Sequence, residues 1–161
     1  MKFLKPITIL LLLAFITINF QCTAAKRAHK LPVEVETSLK FTKPYFQIWN
    51  AAIKYGSSGA NLYLPNLESN TNAEIKKVYF RGMSANLEKG RAIHTALLTK
   101  PKLNDGSLNP NVPQEDFPFD LRPNECVVSY IESGYTKYFL IEKLIEKEGV
   151  YYPDGPPKKI N

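Results

Sequence analysis

The chain has 161 residues, 44% of them hydrophobic and 22% charged, with a formal net charge of +6. That is length enough for one domain with its own core. The charge is mild and its basic residues are scattered in pairs (Lys26-Arg27, Lys76-Lys77, Lys158-Lys159), which speaks against the concentrated basic stripe of a nucleic-acid binder.

The first 22 residues read as an export signal. Lys2 and Lys5 form a short positive start, and Ile7 to Phe20 is almost wholly apolar. Three fates are open. A signal peptidase could cut near Ala24 or Ala25 and release a soluble secreted protein. Cys22, at the end of the apolar core, could instead be acylated as in a bacterial lipoprotein, although Asn19, Phe20 and Gln21 depart from the usual residues before such a Cys. The third fate is an uncleaved anchor helix, for which the run is short of the roughly 20 residues a span needs. Removing residues 1–22 leaves 139 and takes away Lys2 and Lys5, so the formal charge falls from +6 to +4. The expected organisation is a signal at 1–22, a polar tether at 23–32, a β domain at 33–153 and a flexible tail at 154–161. The expected location is the cell envelope, lipid-anchored in the membrane or secreted.

Val33 to Phe41 alternates apolar and polar residues, with Val33, Val35, Thr37, Leu39 and Phe41 on one face. That is the two-residue period of a half-buried strand. Tyr45 to Tyr55 is rich in aromatic and β-branched residues and suits a strand, with a short helix as the alternative. Gly56-Ser57-Ser58-Gly59 is a turn, and Leu62-Tyr63-Leu64 continues a hairpin. Ile75 to Phe80 is predicted as a strand with Ile75, Lys77 and Tyr79 on one face and Lys76, Val78 and Phe80 on the other. Two further extended segments flank Gly90. Residues 100–124 are irregular and rich in proline. The runs Glu125 to Ile131 and Thr136 to Glu146 form the clearest hairpin, around a four-residue loop, Glu132-Ser133-Gly134-Tyr135. Seven or so short strands without an amphipathic helix predict an all-β fold, an antiparallel β-sandwich or small barrel.

Chemistry is sparse. The cysteines are Cys22 and Cys126, so a disulfide framework is excluded once Cys22 is lipidated or removed. Cys126 lies in an apolar strand and is expected to be buried and structural. His94 is the one base expected within the domain, too little for a catalytic triad. No metal site and no cofactor are expected, since clustered His and Cys are lacking. The balance leans away from an enzyme. Glu115, Asp116, Asp120 and Glu125 could supply a carboxylate pair for glycoside hydrolysis, which is the alternative function. The remaining lead is aromatic. Trp49 and Tyr135 are the candidates for an exposed platform that stacks on a glycan or fills an envelope-protein interface.

Residues 76–90 (KKVYFRGMSANLEKG) and 125–143 (ECVVSYIESGYTKYFLIEK) resemble parts of small exported bacterial lipoproteins. The resemblance covers about half of the mature chain and implies an envelope location, with membrane attachment through Cys22. It implies no activity, cofactor or nucleic-acid partner. The expected function is a binding or structural role at the envelope.

Overall fold

Apolar residues at every second position give a strand a buried face, and two sheets that pack such faces together make the fold. The computed structural model describes residues 29–35, 37, 39–51, 58–65, 67–68, 73–100, 117–154 and 157–160. Within them run eleven strands: β1 (Lys40–Phe41), β2 (Tyr45–Ala51), β3 (Ser58–Pro65), β4 (Leu67–Glu68), β5 (Glu74–Phe80), β6 (Met83–Asn86), β7 (Glu88–Lys89), β8 (Ile93–Thr99), β9 (Cys126–Glu132), β10 (Tyr135–Ile141) and β11 (Ile145–Tyr152). Seven of these have seven or eight residues; the other four are short. Tyr45–Ala51 is a strand, not a helix.

The strands form a four-stranded sheet, β10-β9-β5-β6, a five-stranded sheet, β11-β2-β3-β8-β7, and a small β1-β4 pair. The fold is therefore a β-sandwich and not a closed barrel. The chain changes sheets at both sides of the sandwich. Leu87 carries it from β6 to β7, and Glu142–Leu144 carries it from β10 to β11. The expected run from Thr136 to Glu146 is thus two strands in different sheets. After its crossover β11 lies parallel to β2, whereas the other pairs among these eleven strands are antiparallel.

Between the sheets Phe46, Leu62, Leu64, Val78, Phe80, Leu98, Cys126 and Val128 form the main core. Burying each such side chain contributes roughly 1.5–3 kcal/mol. Arg81 closes one end of it. Its guanidinium lies 4.6 Å from the Phe46 ring centroid and 5.1 Å from that of Phe80, and its Nε donates to Pro123 O at 2.7 Å. Arg81 (φ 47°) and Gly82 (75°) both take positive φ, as a two-residue hairpin between right-twisted strands requires. Ser133 (51°) and Gly134 (81°) do the same between β9 and β10, so that loop is two residues and not the expected four, with Glu132 and Tyr135 drawn into the strand pairing.

Two expectations from alternation fail for local reasons. Residues 33–41 do not form one strand. Glu34 makes an isolated parallel bridge to Phe139 on the edge of β10, while Lys40–Phe41 pairs with β4. The segment spans two different pairings, and Val35, expected inside, is 58% exposed. In β5, the pairing to β9 skips a residue between Ile75 and Lys77. This bulge puts Ile75 against the same core as Val78 and Phe80, not on the face of Lys77 and Tyr79.

Among the described residues, contacts with the sandwich include His29 and Lys30, ahead of Val33. Lys30 N donates to Pro118 O at 2.9 Å, Glu34 N to Tyr138 O at 2.7 Å, and Leu140 N to Glu34 O at 2.9 Å. Toward the other end, Lys158, Lys159 and Ile160 line a hollow of about 260 Å³ with Thr95 and Leu97.

Candidate functional site

The outer face of the four-stranded sheet is divided in two. Its register sets Ser84, Tyr79, Val127 and Leu140 in one row across the four strands, and Asn86, Lys77, Ser129 and Tyr138 in the next. The first row is roofed. Phe119, Val127 and Leu140 form a second buried cluster, with Leu31, Val33, Phe117, Leu121, Tyr79 and Tyr138 packed against it. Two chain segments, around 31–33 and 117–121, thus cover half of a sheet face that would otherwise leave valine and leucine in water.

The second row is open. It lines a depression of about 520 Å³. Tyr79 and Tyr138 stand at the boundary and form its wall. Their rings lie 6.4 Å apart at 61°, and each is braced by Phe119, at 4.9 Å and 5.5 Å. The Tyr79 hydroxyl has its pKa raised, first by burial and then by the neighbouring Tyr138 phenol, so it stays protonated near neutral pH.

The floor is polar, and the β5 bulge shapes it. Lys77 N donates to Ser129 Oγ at 3.1 Å. Both Lys76 and Lys77 line the depression, together with Asn86 and Thr136. Lys76 is ion-paired with Glu74, whereas the Lys77 ammonium has no acidic partner among the described residues. The arrangement combines an aromatic wall, hydroxyls, an amide, the Lys76–Glu74 ion pair and the Lys77 ammonium beside the apolar side chains of Ile75, Leu87 and Ile131. It can hold a polar ligand, and no nucleophile–base pair accompanies it among the described residues.

Trp49 is not an exposed platform. It is 0% exposed, its indole N–H donates to Leu98 O at 3.1 Å, and Tyr152 meets its ring edge-on at 6.2 Å. The reason is Gly59 opposite it in register. A side chain there would begin 2.8 Å from the indole, so the bare glycine backbone gives the ring its bed. Tyr135 is 74% exposed at the start of β10. It belongs to the other sheet from Trp49, and the structure does not bring the two together. Tyr45 and Tyr63 stack on each other at 4.5 Å with Lys147 over Tyr45. Cys22 lies outside the described residues.

The other described candidates stand apart from one another. Cys126 is fully buried and desolvation raises its thiol pKa far above the usual range, which keeps it inert. His94 is half-buried, its Nδ1 lacks a hydrogen-bond partner, and burial, then Lys89, lower its pKa. Glu125 is buried, and its Oε2 accepts from Arg122 N at 2.8 Å. Asp120 is exposed and its N–H donates to His29 Nδ1 at 3.2 Å. Glu115 and Asp116 lie outside the described residues. Among the described residues no three His, Cys, Asp or Glu side chains gather as for a metal ion, and no helix is long and apolar enough to cross a membrane.

The residues that line the depression were not singled out by sequence as a site. Two signals pointed to them: the Lys76-Lys77 doublet inside an apolar strand, and Ser129 inside CVVSYI. The fold and its site define a β-sandwich with an open sheet-face depression. No protein family, curated protein or solved structure matches the chain.

Proposed function

We propose that this is an exported cell-envelope protein with a binding role, and that it binds through the open half of the outer face of its four-stranded sheet. The observation that carries the reading is the depression itself. It is concave and of ligand-site size (small-molecule sites span about 300–1,000 Å³), and polar groups converge in it beside an aromatic wall. The export reading rests on the positive start and apolar run of residues 1–20. Acylation of Cys22 would add membrane attachment, and cleavage near Ala24 or Ala25 would release the protein.

Binding is favoured over carbohydrate hydrolysis by the state of the described acids. Glu125 is turned into its own chain bend, and neither Asp120 nor Glu125 lines the depression.

The test is a glycan-array screen of the exported protein against its Thr136→Trp variant. Thr136 is exposed, so an indole there fills the depression without disturbing the core. Retention by wild type and loss in the variant is the expected result. Equal retention by both places binding elsewhere, and turnover of a retained glycan would replace binding with hydrolysis.

A further inference from the structure

We infer that the ligand of this depression is an acidic saccharide, a sugar carrying a carboxylate or a phosphate. The inference rests on the binding reading above and gives it a chemical class.

The first argument is charge. Two lysines and one acid line the depression: Lys76 is paired with Glu74, which leaves Lys77 as the surplus charge, and Lys137, on the same sheet, donates to Glu132 at 2.8 Å. Lys77 alone among these three has no acidic partner among the described residues. A lone cation in a concavity walled by phenol rings attracts anions more strongly than one on an open surface, because the low-dielectric walls focus its field. The bulge matters here. By holding Lys77 N on Ser129 Oγ it fixes the backbone from which the ammonium projects.

The second argument is the neutral lining. Tyr79 and Tyr138 present ring surface against which the C–H face of a sugar can pack. The Asn86 amide offers both donor and acceptor, and Thr136 a hydroxyl that does either. Vicinal sugar hydroxyls need such mixed partners, while the acid needs only Lys77. A polynucleotide is the poorer fit, since its affinity comes from several phosphate contacts at once, and among the described residues lining the depression one cation, Lys77, has no acidic partner.

The third argument is place. The 31–33 segment that roofs the neighbouring half of the face leads back toward the export signal. His29 is seven residues from Cys22, at most about 25 Å of extended chain. An acylated Cys22 would therefore hold the depression close to the envelope surface.

The test is calorimetric titration of the exported protein with four probes: a galacturonate trimer, a 6-phosphorylated mannose trimer, a neutral mannose trimer, and phosphatidylglycerol vesicles. At least one acidic trimer should bind about tenfold or more tighter than the neutral one, with the preference shrinking as salt rises. Lys77→Met should remove the preference for acidic over neutral trimers, and circular dichroism should show the variant folded. Which acidic trimer binds tells carboxylate from phosphate. Equal binding of acidic and neutral trimers, abolished by Thr136→Trp, overturns the acidic ligand and leaves the site standing. Sugar binding indifferent to Thr136→Trp overturns the site itself. Binding of vesicles alone, or of none of the probes, overturns the acidic saccharide.

Discussion

Lys77 N donates to Ser129 Oγ at 3.1 Å across the β5–β9 pair, at the point where β5 carries one residue more than its partner. One hydroxyl in an otherwise apolar strand thus stabilises the irregularity that brings two consecutive lysines to the depression. Ser129 is buried, so Ser129→Ala strands a backbone N–H away from water. Unfolding in urea should show a loss of about 1–3 kcal/mol, and amide exchange at Lys77 should accelerate. Thr136→Ala, one strand away and exposed, should stay within about 0.5 kcal/mol of wild type.

Trp49 is the only tryptophan, so its fluorescence reports its bed directly. Emission should be blue-shifted and resistant to iodide quenching. Gly59→Ala should be among the most damaging single substitutions, since its Cβ would come 1.9 Å from Leu98 O and 2.8 Å from the indole. A cost of about 3 kcal/mol or more is expected, with red-shifted emission.

The Tyr130 hydroxyl donates to Glu34 Oε2 at 2.6 Å, and Thr37 Oγ1 lies 3.3 Å from it. Tyr130 is fully buried, and the bond ties the segment around Glu34 to the sandwich. Tyr130→Phe should cost about 1.5–3 kcal/mol, the range for a bond to a charged acceptor. Limited trypsin digestion should then cut faster after Lys30.

Stability should fall at both ends of the pH scale, for different groups. Burial raises the pKa of Cys126, and burial followed by the Glu34 hydrogen bond raises that of Tyr130. Their contribution is complete below the unfolded values, about 8.5 and 10, and is lost as pH rises past them, because the unfolded chain releases those protons first. His94 acts oppositely. Its folded pKa is lowered, so its contribution is present above about 6.5 and is lost as pH falls below that. His94→Gln should flatten the stability profile between pH 7 and 5, measured by urea midpoints, while leaving the alkaline limb unchanged.

Much of the fold was legible in the alternation of single strands. The β9–β10 hairpin announces itself through Ser133-Gly134, and the buried Cys126 through its apolar neighbours. Alternation misled where pairing is non-local. Val33 to Phe41 has a strand's pattern, but Glu34 and Lys40 find partners in different places, on β10 and on β4. The bulge at Lys76 was invisible because its cause, Ser129, lies 52 residues away in the chain. Trp49 seemed exposed because Asn50 follows it, whereas its burial depends on Gly59 across the hairpin. The depression has the same character. Asn86, Lys77, Ser129 and Tyr138 come from four strands, and only the sheet register makes them neighbours.

The most direct measurement is a backbone-amide NMR titration of the isotopically labelled exported protein with the galacturonate trimer and the phosphorylated and neutral mannose trimers. The account predicts saturable shifts centred on Lys77, Asn86, Thr136 and Tyr138 with an acidic trimer. Shifts centred instead on Tyr135, or on the Tyr45–Tyr63 stack of the other sheet, or no shifts with any of the three, would contradict it.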